Sequence, residues 1–285
     1  MTTPYCTLAQ VKAELNANTT TDDATILPLI LRVSARIDAM MGGKDFFAPL
    51  TASRYYPIEP YRVSSYYNTF KLHDNVLTLD AVSVGSQALT VGSQVNVYPP
   101  GDTPYHQLRM IDRGISWYWA CSTDDTQPVM VEVTGTFGYR RGYPVDAWIA
   151  LDALGANITA SALTLTVADA DGTDEYGITP RFSIGSLILI DSERMTVVAV
   201  NTTTNTLTVR RATNGSTAAA HTAGAAVSVY RPEEAIVRAT ARQTAFMYAR
   251  RGAFEGAVSN DFGTVTFPQD ILSEINGILQ DIQYG

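Results

Sequence analysis

Three histidines, two cysteines and one dense acidic loop are the residues whose types could do chemistry in this 285-residue chain. His73, His106 and His221 are scattered, and none has a partner at metal-ligand or triad spacing. Cys6 and Cys121 lack the CxxC spacing of a zinc or redox site. One disulfide between them is open, and two buried free thiols is the favoured reading. The loop Asp169-Ala-Asp-Gly-Thr-Asp-Glu175 sets Asp169, Asp171, Asp174 and Glu175 close together, and hard carboxylate oxygens suit Ca²⁺. It lacks the later Glu and the full spacing of an EF-hand loop, so a solvated turn is preferred to a calcium site. The arginine pairs Arg140-Arg141, Arg210-Arg211 and Arg250-Arg251 could grip phosphate or a partner's carboxylates. Because acids balance each region locally, contacts between subunits are the better reading. Aromatics gather at Tyr55-Tyr56, Tyr61, Tyr66-Tyr67 and Trp117-Tyr-Trp119, as a core, an interface or a sugar platform would use them. Nothing here assembles a catalytic constellation. The expectation is a protein that is not an enzyme and needs no cofactor.

Composition narrows the classes further. A hydrophobic share of 46% with 17% charged residues describes a folding chain, which excludes disorder by composition. No run of 18 apolar residues is present, and the first residues have neither the basic start nor the apolar core of a signal peptide. No membrane partner is expected, and a cytoplasm is the default place of synthesis. The formal net charge of −8 argues against a phosphate-neutralising surface. The same sign suits a passage through which DNA slides without sticking.

Helical patterns occur only towards the two ends. Thr7 and Gln10 form a capping box before an apolar stripe at Leu8, Val11 and Leu15. A second stripe, Ile26, Leu29, Ile30, Val33, Ile37 and Met40, follows Asp22-Asp23, whose carboxylates suit a helix start. Pro28 is expected in its first turn. A third helix is expected over 232–252, carrying Ile236, Val237, Ala241, Ala245, Phe246 and Met247 and closing on Arg250-Arg251 and Gly252. A fourth is expected after Pro268 on the stripe Ile271, Ile275, Ile278 and Ile282. Between them, alternating Val, Thr and Tyr with Gly and Asn punctuation read as strands and turns.

The resulting expectation is an α+β chain: a helical bundle formed from both chain ends, 1–50 and 231–285. A β section occupies 51–145, and a small inserted β-barrel or sandwich occupies 146–230.

The order of these parts resembles the head–tail connector (adaptor) proteins of tailed bacteriophages. The segments that carry the likeness are Thr7-Leu-Ala-Gln-Val-Lys-Ala-Glu-Leu15, Asp22-Asp23 with the helix to Met41, Thr134-Gly-Thr-Phe-Gly-Tyr139 before Pro144, and the helix over 232–251 ending in Tyr248-Ala-Arg-Arg251. The likeness covers about 1–145 and 231–285. The stretch 146–230 departs from it, and resembles a β module of other phage structural proteins through Gly185-Ser-Leu-Ile-Leu-Ile-Asp-Ser-Glu193, Leu207-Thr-Val-Arg-Arg211 and Ala220-His-Thr-Ala-Gly224. The resemblance implies a ring, usually of twelve copies, assembled in the host cytoplasm and housed in the virion neck. Its partners are a portal protein above and a tail or further neck protein below, with DNA passing through the lumen without sequence-specific binding. A ring requires each subunit to bury two different faces. Phe246, Met247, Arg250 and Arg251 are the residues expected to meet neighbouring subunits. Val265, Phe267, Ile271, Ile275, Ile278 and Ile282 are expected to meet the portal or a neighbour. The contrary reading is a tail-associated module that binds glycan or protein.

Overall fold

The computed structural model describes residues 3–17, 20–41, 46–59, 61–85, 87–101, 103–112, 114, 117, 130–174, 177, 179–251, 257–260 and 263–266. Among the described residues there are three helices, α1 (Leu8–Leu15), α2 (Asp23–Met40) and α3 (Glu234–Ala249), of 8, 18 and 16 residues. Two antiparallel sheets of seven and six strands carry most of the rest. The expected α+β architecture, a helical bundle from both ends with β material inserted, is therefore overturned: the protein is mainly β. The apolar stripes at the ends are real. They are too short to form the body of the molecule, and the larger cores lie inside the β sections. The expected fourth helix, 269–283, lies outside the described residues.

By contacts the chain divides into two compact units: residues 1–45, 149–213 and 217–285 form one, and residues 46–148 with 214–216 form the other. In the first, α1, α2 and α3 share a cluster made by Cys6, Val11, Ile26, Ile30, Val237 and Ala241. The Thr7–Gln10 capping box is formed, with Gln10 N–H donating to Thr7 Oγ1 at 3.2 Å and Thr7 N–H to Gln10 Oε1 at 2.8 Å. Pro28 is the sixth residue of α2, deeper than the first turn. Proline there removes the bond to the Ala24 carbonyl, and both residues lie on the exposed face, where water can replace it. Tyr5 docks onto α2, its N–H donating to Ser34 Oγ at 3.1 Å and its hydroxyl to the buried Asp38 carboxylate.

The same unit holds the six-stranded sheet: β8 (Trp148–Ala153), β9 (Thr164–Thr166), β10 (Leu187–Ile190), β11 (Glu193–Asn201), β12 (Thr206–Arg210) and β13 (Ala226–Tyr230), in the order β8-β13-β10-β11-β12-β9. The two outer strands meet: Leu154 bridges Val167, and Gly155 N–H donates to Thr166 O at 2.8 Å. The sheet is thus a closed barrel, which removes its edges. Leu165, Phe182, Ile188, Met195, Leu207 and Val227 fill it. Its β10–β11 hairpin turns at Asp191-Ser192, where Asp191 takes φ 52°, the left-handed value such a two-residue turn needs. A further hairpin, β14 (Ala257–Asn260) and β15 (Gly263–Thr266), makes a separate two-stranded sheet.

The second unit is built around β3 (Thr69–Val84), a 16-residue strand where the sequence pattern suggests two short ones. It pairs with β2 (Val63–Ser64), β4 (Gln87–Leu89), β6 (Tyr105–Met110) and β7 (Met130–Phe137), while β1 (Leu50–Pro57) and β5 (Val95–Tyr98) close the order β1-β7-β3-β6-β5. Register shifts between Val76 and Thr78 and between Leu79 and Ala81 let so long a strand bend over one core. That core contains Phe70, Val76, Leu108, Trp117, Val131 and Phe137. A Cβ on Gly135 of β7 would lie 2.1 Å from Thr78 O, so the close approach at this bulge admits glycine alone.

Candidate functional site

The densest polar site is one the sequence reading did not assemble. Glu193, the first residue of β11, is fully buried, and Arg211, just after β12, is nearly so. Their pairing is bidentate, Nε to Oε1 and Nη2 to Oε2, both at 2.7 Å. The other three guanidinium donors reach the carbonyls of Thr159 at 2.8 Å, Ala162 at 2.9 Å and Ala219 at 2.5 Å. Glu193 also accepts from Ala212 N–H at 3.1 Å and Ala219 N–H at 2.8 Å. His221 sits between Glu193 Oε2, 3.0 Å from Nε2, and Asp191 Oδ2, 2.6 Å from Nδ1. Burial pushes the Glu193 carboxyl up, but bonds from Arg211, Ala219, His221 and Ala212 outweigh it and hold the group at about 2. All five Arg211 donors are used, and both imidazole nitrogens face carboxylates. No ring nitrogen is left to activate a nucleophile. The cluster is a staple that pins two irregular segments, near 159–162 and 212–221, onto the barrel. Asp191-Ser-Glu193, Arg211 and His221 all stand in the segments likened to a phage β module; their separation along the chain hid the contact.

The acidic loop resolves into arginine pairs. Asp169 accepts from Gly172 N–H at 2.9 Å and lies 3.9 Å from Arg181 Nη2, whose Nη1 is 3.3 Å from Asp152 Oδ2. Arg181 also donates to Thr173 O at 3.2 and 3.0 Å. Asp174 is buried and paired with Arg231, Asp171 is exposed, and Glu175 lies outside the described residues. Guanidinium groups supply the positive charge that a cation would bring. Among the described residues no group of three or more His, Cys, Asp or Glu side chains is placed to hold a metal ion.

The expected subunit-contact residues are distributed as follows. Phe246 and Met247 are half-buried near the end of α3. Arg250 lies 5.1 Å from the Phe246 ring centre, and Arg251 lies 3.8 Å from that of Tyr248 and 3.8 Å from Oδ1 of Asp22, the N-cap of α2. Both arginines are turned onto rings of α3, and Arg251 reaches Asp22 as well. Val265 belongs to β15. Phe267, Ile271, Ile275, Ile278 and Ile282 lie outside the described residues, as does Cys121. Cys6 is a buried thiol whose pKa burial raises well above its ordinary value.

The tyrosines divide between core and surface. Tyr56 is buried, its hydroxyl donating to Asp74 Oδ2 at 2.6 Å, and Trp117 donates Nε1–H to Asn68 O at 3.1 Å. Tyr61, Tyr66 and Tyr67 are exposed at 65, 86 and 52%, with the last two rings edge to face at 4.7 Å. In the first unit a cavity of about 280 Å³ is lined by Leu8, Lys12, Asp23, Phe182, Ile184 and Val200. Its polar lining residues are the Lys12–Asp23 pair, at 2.5 Å, with Ser183 and Thr202.

No protein-family model matches the chain, and no curated protein is significantly similar to it.

Proposed function

We propose that this protein is a structural component of a tailed-phage virion neck, a head–tail adaptor. Twelve copies form a ring beneath the portal, extend the DNA channel and offer the attachment surface for the tail or the next neck protein. The observation that carries this reading is the order of the parts. The capped α1, α2, the end of β7 running on to Tyr139, and α3 followed by Arg250-Arg251 occur in the order of the adaptor likeness, and the three helices from the two ends share one apolar cluster. The net charge of −8 supports a lumen that DNA crosses without adhering. The deciding experiment is imaging of portal-bearing heads incubated with the purified protein. A ring of density added below the portal is expected; heads that acquire none overturn the assignment.

A second reading, a virion module that binds glycan or protein, draws on the exposed Tyr61, Tyr66 and Tyr67, since such rings stack on sugars and fill interfaces. A monomer that loses glycan binding on Tyr66→Ala and Tyr67→Ala substitution favours that reading over the ring.

A further inference from the structure

β1 is a terminal strand of its sheet, and the direction of its outer hydrogen bonds can be read. Thr51 N–H donates to Asn214 O at 3.0 Å, away from β7. The β1–β7 register runs without a shift from Leu50↔Phe137 to Pro57↔Met130. Antiparallel pairs alternate, so Ser53 and Tyr55, like Thr51, turn N–H and C=O outward. Side chains agree: Thr51 and Thr136 hydroxyls lie 3.2 Å apart and those of Ser53 and Thr134 2.6 Å apart, the close approach of pairs that share no backbone bonds. Pro57 takes the next outward position, where its missing N–H costs no ladder bond. No described strand pairs with the outer side of Ser53 or Tyr55. Edges are commonly guarded by a projecting charge. Here Arg54 is drawn onto the Phe137 ring at 4.4 Å and into an ion pair with Asp74, and Tyr55 stands 59% exposed.

The β14–β15 hairpin has the complementary property. Two strands alone are marginal in water, and this pair joins no third among the described residues. Asn260 pairs with Gly263 across two residues, and in such hairpins that closing pair is hydrogen-bonded. Thr264 and Thr266 of β15 therefore turn their backbone groups outward at the same two-residue spacing as Ser53 and Tyr55. Neither strand carries a charge.

We propose that β15 of a second copy adds to the outer edge of β1, with Thr264 and Thr266 meeting Ser53 and Tyr55. The seven-stranded sheet then continues as a nine-stranded one across the boundary between copies. Donor and acceptor are different surfaces, so the contact is head-to-tail, the kind that closes rings. The inference stands on backbone geometry and holds for any homo-oligomer, whether or not the protein sits in a phage neck.

Proline at an outward position deletes one donor and leaves the bonds to the parent strand, whereas alanine deletes the side chain alone. Sedimentation velocity on the full chain compares Tyr55→Pro with Tyr55→Ala and Thr264→Pro with Thr264→Ala, with circular dichroism to verify the fold. Wild type and both alanine variants are expected to assemble, and both proline variants to sediment as monomers. Tyr55→Pro retains a working hairpin and Thr264→Pro a working edge, so an equimolar mixture should give dimers and nothing larger. A wild type that stays monomeric, proline variants that assemble like wild type, or a mixture that stays monomeric each overturns the proposal. Should Tyr55→Pro fail to fold, Thr264→Pro, which alters only the hairpin, decides alone.

Discussion

Glu193 and Arg211 show how much of a fold can hang on one buried pair. Two desolvated charges are stabilising only when every remaining donor and acceptor is met, and here each is. Removing one partner leaves the other buried and unpaired. Arg211→Met is therefore expected to cost the barrel about 3–5 kcal/mol, measured by urea unfolding. The pH dependence has a definite sign. Glu193 is depressed to about 2, below the ordinary carboxylate value of about 4.3, so its contribution is full above the unfolded value and disappears as pH falls through the folded one. Wild type should lose on the order of 3 kcal/mol between about pH 4.3 and 2, and Glu193→Gln should flatten that part of the profile. A profile unchanged by the substitution would show that other carboxylates dominate acid unfolding. The staple was hidden in the sequence because its members come from β11, the end of β12 and a later turn, and no local spacing reports such contacts. The acidic loop misleads in the opposite way: its carboxylates are adjacent in sequence, but the arginines that answer them, Arg181 and Arg231, are remote.

At the scale of elements, local signals are legible and long-range pairing is not. The Thr7–Gln10 capping box is complete in four residues of sequence and is formed as expected; Thr7→Ala should cost about 1 kcal/mol and lower the thermal midpoint. The Asp191-Ser192 turn is equally local. By contrast β3 reads as separate segments, because its bulges break the alternation that marks a strand. The balance between helix and sheet was misjudged for a related reason. A 3.6-residue stripe shows that a helix will form, while the size of the body it joins depends on contacts far along the chain. Gly135 illustrates the same limit, since only the bulge opposite Thr78 explains it. Gly135→Ala is expected to cost about 1–3 kcal/mol by forcing β3 and β7 apart, read as a lower urea midpoint with the slope retained.

For the whole molecule, the proposed strand pairing between copies can be separated by experiment from contacts made by charged side chains. If Arg250 and Arg251 bridged subunits by ion pairs, added salt would weaken assembly by screening them. In the structure both arginines are turned onto Phe246, Tyr248 and Asp22 of their own chain. The proposed main-chain pairing between β15 and β1 carries no net charge, so screening would not weaken it. What salt does reach is the repulsion among copies that each carry −8, which grows with every subunit brought into a closed ring. Assembly is accordingly expected to tighten between about 50 mM and 500 mM salt, where the Debye length falls from roughly 14 Å to roughly 4 Å. Head-to-tail contacts that close should also populate one discrete size, with few intermediates, rather than a ladder of lengths. Sedimentation velocity across that salt range reads both properties at once. A single species of twelve 30.9 kDa chains, favoured by salt, fits a ring joined through strand edges. Dissociation by salt would instead assign the contact to charged side chains and return Arg250 and Arg251 to the interface.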